Sequence, residues 1–142
     1  MRLKFEVLLS EYRHHTRDQV FVLSNLRRDM VFYKGDTNTL RLKIRHEDHS
    51  HCITDVNITG WSFYLIGKNN PTDSDSDAIV YRYVGILNDS GDGEVDISLT
   101  EVSGEDFSGN LCYQLRSIDN HEKILILGEG LLQFKQSLFD ES

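Results

Sequence analysis

Apolar and polar residues alternate with a period of two along most of this chain, the pattern of strands with one face buried. The clearest run is Leu40-Arg41-Leu42-Lys43-Ile44-Arg45, with the aliphatic residues turned to a core and three cations to water. Trp61, Phe63 and Leu65 alternate with Ser62, Tyr64 and Ile66. Val95, Ile97 and Leu99 alternate with Glu94, Asp96 and Ser98, and Leu111, Tyr113 and Leu115 with Asn110, Cys112 and Gln114. From Ile79 to Leu87 both faces are apolar or aromatic, so that strand is expected to be covered on both sides. Lys123–Leu127 and Glu129–Phe134 complete the set.

Polar turns separate these runs: Gly35-Asp36, Lys68-Asn69-Asn70-Pro71, Asn88 to Gly93, Ser108-Gly109 and Asp119-Asn120. Asp92-Gly93 fits a tight hairpin turn between a strand ending near Leu87 and one starting near Glu94. A helical turn is expected near Thr100–Phe107, with Thr100 as its cap. Short strands with turns every ten or so residues predict an all-β fold, a sandwich or barrel.

Residues 1–28 have a different texture. Phe5, Val7 and Leu9 alternate, as do Phe21 and Leu23, around the polar stretch Ser10–Asp18. Three forms fit: a hairpin added to the domain, an arm reaching a neighbour by strand addition, or an amphipathic helix through Phe5–His14. The division is then an N-terminal arm or hairpin over 1–28, a sandwich over 29–136 and a tail over 137–142.

Length suits one domain: 142 residues, 39% of them hydrophobic, can bury a core without staples. No run approaches the roughly eighteen apolar residues of a membrane helix, so no membrane contact is expected. Glu6, Glu11 and Arg13 interrupt the N-terminal apolar residues, unlike a signal peptide. Cys52 and Cys112 make no disulfide framework and read as two thiols in a reducing compartment.

The net charge of −8 is divided unevenly: residues 1–45 carry +5 and residues 46–142 carry −13. Either the basic part of one subunit meets the acidic part of another, or the two parts face each other within one fold. Arg27, Arg28, Arg41, Lys43 and Arg45 are the candidate partner-binding cations. An acidic chain with so short a basic stripe points to protein rather than nucleic acid.

Candidate chemistry is sparse. His46, His49, His51 and Cys52 carry ligand-type atoms for Zn²⁺, in a spacing that matches no zinc motif and reads as a solvated loop. Asp73, Asp75 and Asp77 open like a calcium loop, but Ala78 and Val84 stand where its glycine and bidentate glutamate belong. Asp89 to Glu94 lacks the helix and lysine of a phosphate loop. No Gly-x-Ser-x-Gly elbow is present. Neither catalytic residues, metal nor cofactor are therefore expected. Cys52, Trp61 and Cys112 follow the order of the immunoglobulin Cys–Trp–Cys hallmark, yet the alternation points Cys112 outward and argues against an inter-sheet disulfide.

From about Val31 to Gln136 the chain resembles the immunoglobulin-like domains of bacteriophage virion proteins, notably the N-terminal domain of phage baseplate upper proteins and tail-fibre adaptors. The resemblance lies in short signatures in order: Gly35-Asp36-Thr37 before the Leu40–Ile44 strand, Asn57 to Phe63, Gly93 to Thr100, Gly109 to Tyr113, and Gly128-Glu129-Gly130 leading into Leu131–Phe134. Asn57 replaces the family's usual aspartate, and Leu111 stands where an aromatic is commoner. The resemblance implies an immunoglobulin-like antiparallel β-sandwich with an N-terminal extension. It also implies a non-enzymatic virion structural protein that self-associates and joins or stabilises tail, baseplate, fibre or capsid subunits. Two other classes stay open. One is a carbohydrate- or receptor-binding module using exposed aromatics such as Tyr81 and Tyr83. The other is an enzyme subunit with a metal at His46, His49, His51 and Cys52.

Overall fold

The alternating segments become ten strands among the described residues. A computed structural model describes residues 2–12, 19–22, 27–33, 38–48, 50–87, 91–99 and 109–135. The strands are β1 (Arg2–Tyr12), β2 (Gln19–Val22), β3 (Met30–Tyr33), β4 (Thr39–Glu47), β5 (Ile53–Asp55), β6 (Ser62–Lys68), β7 (Val80–Gly85), β8 (Glu94–Ser98), β9 (Gly109–Ile118) and β10 (Ile124–Lys135). A single 3₁₀ turn, Asp75–Asp77, lies between β6 and β7. The helical turn expected over Thr100–Phe107 lies outside the described residues.

Two five-stranded sheets form the all-β sandwich that the alternation predicts. The first runs β2-β1-β4, with β8 and β5 sharing the far edge of β4. The second runs β3-β10-β9-β6-β7. Two pairings are parallel, β1 with β4 and β3 with β10; the rest are antiparallel. The side-chain period is two in either direction, so alternation carries no sign of this mixture.

The inner faces meet in one core. Leu40, Leu42 and Ile44 of β4 and Val95 and Ile97 of β8 face Phe63 and Leu65 of β6, Leu111 and Leu115 of β9, and Leu132 and Phe134 of β10. All are at most 5% exposed. Each such side chain contributes roughly 1.5–3 kcal/mol relative to exposure.

The N-terminal segment belongs to this core. β1 pairs with β4 from Arg2–Thr39 to Ser10–Glu47, and with β2 as an antiparallel hairpin. Phe5, Val7 and Leu9 are 1%, 1% and 2% exposed. Strand, not helix, therefore runs from Arg2 to Tyr12, and its apolar row packs in the core cluster. Gly128 makes room for it: a Cβ there would lie 2.6 Å from the Phe5 ring.

Residues 27–29 are clamped onto β10. The Arg28 N–H donates to the Glu129 carbonyl at 2.9 Å, and the Leu131 N–H donates to the Asp29 carboxylate at 2.9 Å. Tyr113, 3% exposed, donates its hydroxyl hydrogen to the Arg28 carbonyl from across the sheet. Burial pushes the Tyr113 phenol upward in pKa, so it stays protonated and keeps donating.

Two local expectations change. Asp92-Gly93 does not close a hairpin: β7 ends in the second sheet and β8 begins in the first, so the connection crosses between sheets. Gly93 is still required there, since its φ is +69° and a Cβ would meet the Ile44 carbonyl at 2.4 Å. The two-residue signal reports a tight bend, which serves a crossing as well as a hairpin. β7, expected to be covered on both faces, is covered on one: Tyr81 and Tyr83 are 49% and 55% exposed.

Candidate interaction surface

The outer face of the first sheet is built from charges. Register sets Arg41 opposite Asp96, Lys43 opposite Glu94 and Arg45 opposite Asp55. Arg41 donates two parallel hydrogen bonds to Asp96, 2.8 and 2.9 Å, the strong bidentate form of the pair. This bonding raises the guanidinium pKa and holds the Asp96 carboxyl below its ordinary value. Lys43 lies 3.3 Å from Asp55 and 3.7 Å from Glu94, and donates to the Asp92 carbonyl. Arg45 lies 3.7 Å from Asp55.

The five sequence-selected cations thus fall in two places. Arg41, Lys43 and Arg45 form a row on β4 whose charge is met by acids of the same chain. Arg27 and Arg28 precede β3. The Arg28 guanidinium donates to the Lys4 carbonyl at 3.0 Å and stacks 4.9 Å above the Phe5 ring, while exposed Arg27 pairs with Glu129 through its backbone in an isolated parallel β-bridge. On β4 the uneven charge is met within one fold.

The outer face of the second sheet has the opposite character. Tyr64 on β6 is flanked by Tyr83 and Tyr81 on β7, with ring centroids 5.0 and 6.1 Å apart. Ile118 of β9 pairs with Ile124 of β10, and Ile126 pairs with Arg116. Ile124 and Ile126 are 64% and 41% exposed. Tyr64, Tyr81, Ile118, Ile124, Ile126 and Arg116 line a trough of about 360 Å³. A second trough, of about 300 Å³, continues on the other side of Ile66 and Arg116 toward Lys68, Cys112, Gln114 and Leu131.

Asp75 stands between the two. Its carboxylate lies 2.7 Å from Lys68 Nζ and 3.1 Å from Arg116 Nη1. These bonds hold its pKa below the ordinary carboxylate value. Arg116 also donates from Nε to Gln114.

His51 Nδ1 and Glu47 Oε1 share a hydrogen bond at 2.8 Å on an exposed loop, and His49 lies outside the described residues. Among the described residues, no group of three or more histidine, cysteine, aspartate or glutamate side chains is placed to hold a metal. Cys52 is exposed and Cys112 half-buried on the outer face, both free thiols. Of the Asp73–Asp77 loop, Asp75 binds two cations and Asp77 accepts the Ser74 hydroxyl hydrogen at 3.1 Å.

The carbohydrate-binding alternative named Tyr81 and Tyr83 as exposed, although the pattern itself predicted a covered strand, and sequence reasoning missed Ile124, Ile126 and the Asp75–Arg116–Lys68 cluster. The isoleucines carried a signal, because the run from Ile124 to Leu127 is apolar on both faces. The cluster carried none, since it joins three elements through register.

Fold and surface together define a β-sandwich with one charge-matched face and one exposed aliphatic–aromatic face. No protein-family description and no curated protein matches the chain. Among solved structures it is similar to the N-terminal domain of phage TP901-1 ORF48, at 9% sequence identity and a TM-score of 0.40, with 96% of this chain and 99% of that one covered.

Proposed function

We propose that this chain is a non-enzymatic structural protein of a bacteriophage virion, joining or stabilising neighbouring subunits through the outer face of its second sheet. The observation that carries the reading is the exposed cluster of Tyr81, Tyr83, Ile124 and Ile126 around Arg116. Tyrosine and arginine are enriched where proteins bind one another, and contiguous exposed apolar surface marks such sites. The ordered virion-domain signatures supply the kind of neighbour: a tail, baseplate, fibre or capsid subunit, or a further copy of this chain. The β4 row is the weaker docking surface, because partner acids would have to displace Asp96, Glu94 and Asp55.

Quantitative mass spectrometry of purified virions tests the reading. The chain is expected in the particle, and Ile124→Asp with Tyr83→Ala is expected to deplete it while leaving it folded. Its absence from purified particles refutes the proposal. Exposed Tyr81 and Tyr83 also favour a second reading, carbohydrate or receptor recognition by ring stacking. That reading expects saturable binding on a glycan array, lost in Tyr83→Ala; an array without binders removes it.

A further inference from the structure

Ile66 occupies an outward position on β6, between inward Leu65 and inward Gly67, yet it is only 2% exposed. Its neighbours by register are Tyr81 on β7 and Gln114 on β9. Both troughs of the outer face reach it, one from each side. What separates them is the connection from β6 to β7, which returns over the sheet. Lys68 Nζ donates to the Asp73 carbonyl at 2.8 Å and pairs with Asp75 at 2.7 Å, and Arg116 on β9 pairs with the same carboxylate. The Ile79 N–H donates to the Gly67 carbonyl at 2.9 Å, which fixes the far end of the segment.

We propose that residues 69–78 form a strap, latched by Asp75 to Arg116 and Lys68, which covers Ile66 and divides an apolar groove that becomes continuous when the latch opens. The inference rests on the docking reading of this face and adds its regulation. The latch is built to be weak. The Asp75 side chain is 48% exposed, and ion pairs in such settings stabilise little. Apart from Ile79, the segment is held mostly by short-range bonds: Asn70 with Thr72, and Ser74 with Ser76 and Asp77. Local opening of segments with few long-range bonds is the common route to a covered surface. An opened strap would expose Ile66 between Tyr81 and Gln114 and unite the two troughs across β10, β9, β6 and β7.

Two probes on the isolated chain test this without any partner. Hydrogen exchange of residues 72–78 is expected to run roughly threefold to tenfold faster in Asp75→Asn, the factor that loss of a partly exposed ion-pair cluster yields. Fluorescence of the apolar dye ANS is expected to rise in Asp75→Asn and in Arg116→Gln, which release the latch from its two sides. Asp73→Asn, a strap carboxylate outside the latch, is the control and is expected to match the parent chain. Circular dichroism confirms that each variant keeps its fold, and Arg116→Gln serves if Asp75→Asn does not. Exchange and dye binding unchanged in both latch variants, or changed equally in Asp73→Asn, would overturn the strap. Those outcomes leave the docking reading untouched, since it stands or falls on the virion measurement.

Discussion

Replacing Phe5 by alanine tests whether the first strand is structural within its own chain. The ring is 1% exposed, lies against the backbone at Gly128 and carries the Arg28 guanidinium 4.9 Å above it. Phenylalanine-to-alanine changes in cores cost about 3–5 kcal/mol, the upper part of the range applying where the site cannot collapse. Collapse is hindered here because β1 is paired to β4 along its length and to β2 near its end. Loss of the cation–ring contact adds about 0.5–1 kcal/mol. A loss of about 4 kcal/mol is a large part of the roughly 5–15 kcal/mol that holds a typical domain. Urea unfolding should show it as a midpoint lowered by about 2 M with an unchanged slope. The measurement should be made at two protein concentrations tenfold apart. A loss below about 1 kcal/mol would mean that Phe5 is not packed in its own core. A loss that varies with concentration would mean that β1 packs into a neighbour, because exchange makes stability depend on mass action.

Other variants probe other contacts. Gly128→Ala should cost about 1–3 kcal/mol by overpacking the Phe5 ring, and adding Phe5→Leu should recover part of it; simple additivity in the double-mutant cycle would refute the contact. Tyr113→Phe removes the donor to the Arg28 carbonyl and should cost about 1 kcal/mol, lowering Tm by roughly 3–4 °C in calorimetry; an unchanged Tm would show the bond to be dispensable. Asp75 and Asp96 are held below the ordinary aspartate value of 3.8, so just below that pH the unfolded chain binds more protons than the folded one. Their contribution is therefore present above about pH 4 and is lost as pH falls through the folded values. Asp96→Asn should flatten this acid-side loss, and an identical pH profile would count against the Arg41–Asp96 bond.

Much of the fold was legible where one face of a strand is wet. Leu40, Leu42 and Ile44 turned inward as the alternation required, and the outward position of Cys112 ruled out the disulfide hallmark. Partnership between strands was not legible. β1 lies parallel to β4 with Phe5, Val7 and Leu9 buried, and a strand's own sequence does not name its neighbour. The cations of β4 looked free for the same reason. Their acids lie 51–55 residues later on β8 and ten residues later on β5, and only register brings them together. Ile66 shows the reverse case, an outward residue buried by a segment that local patterning reads as a loop.

The clamp of residues 27–29 on β10 has a consequence for how the chain is made. Asp29 receives the Leu131 N–H across 102 residues, and β3 is completed by the last strand of the sandwich. Contacts of such separation form late, because the intervening chain must first be ordered. During synthesis β1 and β4 can meet early, while the second sheet waits for β10 to leave the ribosome. Until then Phe32 and Met30 have no wall to pack on, and the nascent chain presents them to whatever is near. The second sheet therefore closes only once β10 has been made, so the outer face carrying Ile124 and Ile126 beside Tyr64 and Tyr81 is not complete before then.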